Sequence, residues 1–495
     1  MCRMKRISMM LSIGLILAGL STQAEVKLPS VFQSNMVLQR GMKAPVWGWA
    51  APGEKVSVEF NGVTVNTVAT SKGDWKTAVV TGKAGGPFTF SVSGKSASGE
   101  KTNQISLDNV MVGDVWICSG QSNMEMGIGV ANNPKEEIAA ANYPGIRLIR
   151  VPNTAAETPR TDFTGDWKVC SPETIGAGGW GGFSAAGYFF GRELYKKYNV
   201  PIGLIMTCWG GTPAESWTSL AMLKSEPDLA VMLGRIPQTD ASGKPAKSWD
   251  SWTPTGLYNG MIAPLLPYGI KGAIWYQGES NAGRAFQYRK LMPAMITNWR
   301  KAWGQGNFSF FMVQLANFTD RNNEPVDSDW AELREAQNMT LSLPKTGIAC
   351  IIDIGDAKDI HPKNKQEVGR RLAISAMNVA YGDKTVEGFC PMYKSMTVKG
   401  SSIVLTFSHA IGGLKVSDER KPTGFAVAGE DKKFHWADAK IVGSTVVVSN
   451  TDVPIPVAVR YGWSNNPDVN VTSKEGLPLS PFRTDIWPGV TVNNK

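Results

Sequence analysis

Between residues 106 and 383, near-continuous apolar runs alternate with stretches of helical spacing, and most of the runs end in a glycine or polar break. The apolar runs are 110–118, 202–208, 273–276, 308–315 and 348–354; the helical stretches are 185–198, 286–303, 331–341 and 365–379. A strand that is apolar on both sides needs cover on both faces, and a parallel neighbour needs a crossover helix. This alternation therefore predicts an α/β domain with a doubly wound parallel sheet. Segments 130–180 and 218–270, rich in Gly, Pro and Trp, are expected to form long loops over one edge of that sheet.

The chain on either side has a different texture. In residues 25–105 short alternating runs such as 56–60 and 88–92 are separated by turn signals at 51–53 and 61–62, which predicts a β-sandwich with Trp47, Trp49 and Trp75 in its core. After Tyr381-Gly382 the alternation returns at Ile403, Leu405 and Phe407, at Val446 and Val448, and at Val457 and Val459, predicting a second β-sandwich over 384–495. A chain of 495 residues is too long for one core. Its hydrophobic content of 42% and charged content of 19% exclude a disordered chain.

Residues 1–24 read as a secretory leader: a basic start from Arg3 to Arg6, an apolar stretch over 9–20, and the small-residue sequence Thr-Gln-Ala before Glu25. The apolar stretch is short of the roughly 20 residues a spanning helix needs, and no second one follows, so an exported protein without a membrane span is expected. Removing Arg3, Lys5 and Arg6 lowers the net charge from +9 to +6. The remaining charges are scattered, which argues against a nucleic-acid partner. Cys118, Cys170, Cys208, Cys350 and Cys390 are odd in number, widely spaced and free of Cys-x-x-Cys, which argues against a disulfide framework or a zinc site.

The chemistry is narrowed by a scarcity. The chain has only three histidines, and hydrolysis through a serine needs a base that is neutral near pH 7. His409 falls in an alternating strand and His435 in a Lys-rich hairpin, leaving His361 in Asp-Ile-His-Pro (359–362), just after a predicted strand. Asp359, two residues earlier, is placed to accept its Nδ1–H and fix the tautomer that leaves Nε2 as base, with Asp356 and Asp353 as alternatives. The serine candidate is Ser122 in Gly-Gln-Ser-Asn-Met (120–124), beyond the strand 110–118, where open α/β sheets bind ligands; Ser119 is its competitor. Gly-Gln-Ser-Asn does not match the Gly-x-Ser-x-Gly elbow, since Met124 stands where glycine is wanted. Two further strand ends supply candidates for the same crevice. Gly210 and Gly211 follow the run 202–208, where backbone can approach a ligand closely. Gln277, Glu279 and Asn281 follow the run 273–276, and Gln277 and Asn281 can donate to an oxyanion.

Together, Ser-Gly-Gln-Ser-Asn-Met (119–124), Trp-Gly-Gly-Thr-Pro-Ala-Glu-Ser-Trp (209–217), Trp-Tyr-Gln-Gly-Glu-Ser-Asn (275–281) and Asp-Ile-His-Pro (359–362) resemble the sialate O-acetylesterase family, a branch of the SGNH/GDSL hydrolases. Asn35-Met-Val-Leu-Gln-Arg40, Pro45-Val-Trp-Gly-Trp49, Val459-Arg-Tyr-Gly-Trp463 and Leu477-Pro-Leu-Ser-Pro-Phe-Arg483 extend the likeness over nearly all of the chain after the leader. The resemblance implies an SGNH-type, flavodoxin-like sheet and a serine esterase that removes O-acetyl groups from carbohydrates, typically sialic acids. Ser122 would be nucleophile and His361 base, with the oxyanion held by the Ser122 and Gly211 N–H groups and a side chain from Gln277 or Asn281. No metal or other cofactor is implied, and the partner is an O-acetylated glycan. Many SGNH enzymes carry the acid three residues before the histidine; here that position is Lys358, which makes Asp359 the expected acid. Trp180, Trp209, Trp217 and Trp252 are candidates to stack on a sugar, beside Glu279 as a polar substrate contact. The competing readings are an acetylxylan or other polysaccharide acetylesterase, a non-catalytic glycan-binding protein, and a glycosidase using Glu215 and Glu279.

Overall fold

The computed structural model describes residues 25–96, 98–238 and 247–495; the expected leader, 1–24, lies outside the described residues. At its centre six strands form a parallel sheet: β1 (Lys101–Gly120), β2 (Tyr143–Arg150), β3 (Ile202–Cys208), β4 (Gly272–Tyr276), β5 (Ser309–Val313) and β6 (Thr346–Ala349). Their order across the sheet is 2-3-1-4-5-6, each neighbouring pair parallel, and the antiparallel strand Lys168–Cys170 closes the β2 edge. Five helices matter for the site: α1 (Ser122–Glu125), α2 (Ala185–Tyr198), α3 (Ala285–Trp303), α4 (Asp329–Met339) and α5 (Lys365–Val379). Side chains two apart on a strand share a face. Val115, Ile117 and Trp275 accordingly pack with Trp299 of α3 and Leu333 of α4. Trp116, Cys118 and Ile274 pack on the other face with Phe190 of α2 and Leu372 of α5. Both faces are covered, which is why the strands read as unbroken apolar runs.

The start of β1 does not belong to that parallel sheet. Gly85–Lys95 pairs antiparallel with it and with Lys55–Phe60, which in turn pairs with Val63–Val68. Burial along β1 alternates up to Met111 and is continuous from Val112 to Gly120. One strand thus passes from cover on one face to cover on both at about residue 112, a little beyond the change of texture near 106 and with no break in the chain. After α5 the chain forms further antiparallel sheets, among them Met392–Lys399, Ser402–Ser408, Thr445–Ser449 and Asp438–Val442 in spatial order, around a buried cluster that includes Leu405, Val446, Tyr461 and Phe482.

Two expectations are corrected. Segment 130–180 holds β2, which its Pro144-Gly145 start and its arginines concealed; Arg147 is buried there because the Pro144 and Asn109 carbonyls and the Asn109 side chain accept from its guanidinium. The run 348–354 stays in the ladder only to Ala349. Beyond it, Arg371 of α5 donates to the Cys350 carbonyl and pairs with Asp353, drawing the backbone away from β5. The five cysteines of the described residues are buried free thiols. Among the described residues no helix is long and apolar enough to cross a membrane.

Candidate active site

The strand order makes a crevice at β1, because the chain runs to β2 and β3 on one side of it and to β4, β5 and β6 on the other. Register sharpens this. Gly120 lies opposite both Cys208 and Tyr276, so β1, β3 and β4 end in one row and their following loops emerge at a common rim. Gly120 has φ +140°, and a Cβ there would lie 2.2 Å from the Tyr276 carbonyl oxygen, so only glycine lets the chain turn tightly into α1. Ser122 opens α1, with its N–H in the first turn where no intrahelical acceptor exists.

His361 arrives from the far side of the sheet. The loop after β6 crosses to β1 because α5, which follows it, packs on α2: a Cβ at Gly369 would lie 2.5 Å from Phe189 Cβ. The result places His361 Nε2 3.0 Å from Ser122 Oγ, although the residues are 239 apart in sequence. Asp359 Oδ1 lies 3.3 Å from His361 Nδ1 and accepts the His361 backbone N–H at 2.9 Å. The alternative acids are engaged elsewhere, Asp353 with Arg371 and Asp356 with the Lys358 N–H. Burial lowers the His361 pKa below the usual histidine range; Asp359 opposes this and Lys365 reinforces it. A neutral imidazole hydrogen-bonded to a hydroxyl can take its proton, and a carboxylate at the other nitrogen stabilises the imidazolium that results. His409 instead pairs with Glu387, and His435 lies in the strand Phe434–Trp436.

The turn after β3 forms the opposite wall. Glu125 of α1 accepts the Gly210 N–H at 2.7 Å through one carboxylate oxygen and Arg150 and Asn153 through the other. Thr212 donates to the Trp209 carbonyl and accepts from Trp217 Nε1. Gly211, held between these anchors at φ +71°, is exposed and has open space where a Cβ would be.

Four of the sequence-derived candidates do not face this space. Gln277 is buried, donating to the Thr212 carbonyl and to Asn281 Oδ1 and accepting from the Tyr288 hydroxyl. Asn281 accepts from the Ala214 N–H and donates to Glu215. Both amides brace the Gly-Gly turn from beneath, so neither is a free oxyanion donor. Trp217 is fully buried, edge-on to Trp275 in the core, and is no sugar platform. Glu279 points inward to Asn123, at 2.7 Å, and not to solvent. The glycosidase pair fails with it: Glu215 is fully buried under Arg235, Arg284 and Asn281, and the two guanidiniums hold its carboxyl below the usual range despite burial. Trp209 is partly buried against the core.

Trp180 is the aromatic residue the structure brings to the histidine. Its ring meets that of His361 edge-on at 5.0 Å, and it is 42% exposed. Its backbone sits at φ 46°, unusual for a large side chain, with its carbonyl accepting the Gly127 N–H. Sequence reasoning passed over Asn123 and Lys365. Asn123 donates to the Ile360 carbonyl at 3.0 Å and accepts from Lys365 Nζ at 2.6 Å, joining the serine turn to the histidine loop. The only signal was adjacency to Ser122 and position just after Asp-Ile-His-Pro.

Residues 112–378 match the model of the family described as carbohydrate esterase, sialic acid-specific acetylesterase. The sialate O-acetylesterases of Pongo abelii and Homo sapiens are 31% and 30% identical, each alignment covering 98% of this chain and 98% of the relative. A solved carbohydrate acetylesterase from Xanthomonas citri superposes with a TM-score of 0.83 at 40% identity, covering 93% of this chain and all of the other. A match of this extent, over a site with a hydroxyl, an imidazole and a carboxylate in sequence, is a statement of kinship: the chain belongs to the carbohydrate esterase family of sialic acid-specific acetylesterases and is a carboxylic ester hydrolase.

Proposed function

We propose that this carbohydrate esterase removes acetyl groups from O-acetylated sialic acids through an acetyl-Ser122 intermediate. The observation that carries the assignment is the line from Ser122 Oγ to His361 Nε2, 3.0 Å, and from His361 Nδ1 to Asp359, 3.3 Å, at the switch point of the sheet. His361 takes the Ser122 proton as Oγ attacks the acetyl carbonyl. The tetrahedral oxyanion is held by the Ser122 and Gly211 N–H groups, and His361 then protonates the departing sugar oxygen. Water, deprotonated by His361, attacks the acetyl-serine and releases acetate. Trp180 forms the apolar wall for the sugar. The domain frame of this reading is an SGNH-type α/β unit over 106–383 between β-sandwiches at 25–105 and 384–495, in a protein exported by its first 24 residues. Sialic acid is preferred as substrate because the family and the curated relatives act on it.

Ser122→Ala is expected to lower turnover of an acetyl ester by about 10³-fold or more, with the fold intact by circular dichroism. A serine-directed phosphonate should modify wild type stoichiometrically at Ser122. Acetate release measured side by side on acetylated sialic acid and acetylated xylo-oligosaccharide should favour the former; an undiminished rate in Ser122→Ala would end the catalytic assignment, and preference for the xylo-oligosaccharide would end the substrate assignment.

A further inference from the structure

Lys365, the first residue of α5, is fully buried, yet among the described residues no carboxylate comes within ion-pair distance of its ammonium. Nζ donates instead to Asn123 Oδ1 at 2.6 Å and lies 5.0 Å from the centre of the Tyr276 ring. Asn123, also buried, donates from Nδ2 to Glu279 Oε1 at 2.7 Å and to the Ile360 carbonyl at 3.0 Å. The other Glu279 oxygen is buried without a hydrogen-bond partner. One amide thus uses its carbonyl and its NH₂ to join α1, the loop after β4, the histidine loop and α5.

Burying a lysine and a glutamate on either side of a neutral amide is costly, and apolar residues of the same volume would stabilise the fold at least as well. What they would not supply is polarisation. In its charged form Lys365 draws electron density through the Asn123 carbonyl and strengthens the amide's N–H donors in a low-dielectric setting, while burial lowers its pKa to about 7. One of those donors holds the carbonyl of Ile360, the residue between Asp359 and His361.

We propose that Lys365, Asn123 and Glu279 form a buried clamp that fixes the Asp359–His361 loop against Ser122, so that Lys365 and Glu279 are positioning residues for acyl transfer. This rests on the assignment of Ser122 and His361 as nucleophile and base. The clamp has an electrostatic consequence. The groups facing His361 are Asp359 on its own loop, the Ser122 hydroxyl from α1, the uncharged Trp180 ring and, from α5, Lys365, with Glu279 behind Asn123. Asp359 favours the imidazolium and Lys365 opposes it.

The test uses full-length Lys365→Met and Asn123→Asp, assayed with p-nitrophenyl acetate across pH alongside thermal unfolding. Lys365→Met is expected to lower kcat by on the order of 10- to 100-fold with KM little changed, the scale of an Ångström-level misplacement. Its acid limb should move to higher pH, a shift that a lysine serving only stability would not produce. Asn123→Asp, nearly isosteric, turns a donor into an acceptor against Glu279 and Ile360, and should lose kcat at least as strongly while staying folded. A folded Lys365→Met with wild-type kcat and an unmoved acid limb overturns the clamp. Should that variant not fold, wild-type kcat in Asn123→Asp overturns it equally. Inactive Ser122→Ala beside unimpaired clamp variants would remove this inference alone, whereas active Ser122→Ala would remove the catalytic assignment beneath it.

Discussion

His361 meets opposing influences: burial and Lys365 favour the neutral ring, Asp359 the charged one, and the balance lies below the ordinary histidine value. With His361 as the proposed base, a depressed pKa keeps the ring neutral, and the enzyme active, into more acidic solution than a free imidazole allows. The acid limb of kcat/KM is therefore expected to have its midpoint below about 6.5, the unperturbed value; a midpoint at 7 or above in the wild-type profile would contradict it. Asp359 is 43% exposed and its contact with Nδ1 is long, at 3.3 Å. Solvent screening weakens such a pair, so Asp359→Asn is expected to cost on the order of 10²-fold in kcat, less than the roughly 10⁴-fold seen where the acid is buried. That Ser122, His361 and Asp359 lie together was legible in the sequence because histidines are few. The state of the ring was not, since it depends first on burial, which packing sets, with Asp359 and Lys365 acting against each other.

At the scale of elements, the apolar runs and helical spacing were informative because both faces of the sheet are buried: β3, α2 and α5 lie where the pattern placed them. β2 was hidden, since a strand that starts with Pro-Gly and buries an arginine on backbone carbonyls carries no continuous apolar signal. The same blindness affected the site. Gln277 and Asn281 have the right chemistry for an oxyanion, and sequence cannot tell that their amides are already occupied by Thr212, Ala214 and Glu215. Gly369 shows how element packing shapes the site. It lets α5 approach α2 closely and so carries the histidine loop to β1. Gly369→Val should push the helices apart, costing about 1–3 kcal/mol by overpacking. Its kcat should fall further than stability alone explains, because His361 recedes from Ser122. Urea unfolding with kcat measured well below the transition separates the effects; destabilisation with an unchanged kcat would show that the loop is held independently of α5.

For the whole molecule, the part after α5 is joined to the α/β unit by a polar seam with Arg334 of α4 at its centre. The guanidinium is fully buried and has no carboxylate partner within ion-pair distance among the described residues; it donates to the carbonyls of Leu315 and Ala316 on one side and of Ser464 and Asn465 on the other, at 2.7 to 2.9 Å. The seam continues through Asn466 to Asn317, and Asn317 Oδ1 accepts the N–H of Gly355, in the loop that leads to His361. The C-terminal β structure is thereby tied to the loop that carries His361, not merely appended. Arg334→Leu would leave the Leu315 and Ser464 carbonyls without a donor, while Ala316 keeps Trp330 Nε1 and Asn465 keeps the Phe318 N–H; each unsatisfied group is worth about 1–3 kcal/mol, partly offset by relaxation and entering water. A loss of about 2 kcal/mol or more is expected. Arg334→Lys should recover only part of it, since an ammonium has three donors and no planar fork with which to reach both sides. Guanidinium unfolding followed by tryptophan fluorescence gives both values. A loss under about 1 kcal/mol for the leucine variant would mean that water replaces the guanidinium at little cost, and that the C-terminal sheets are held by their apolar contacts instead.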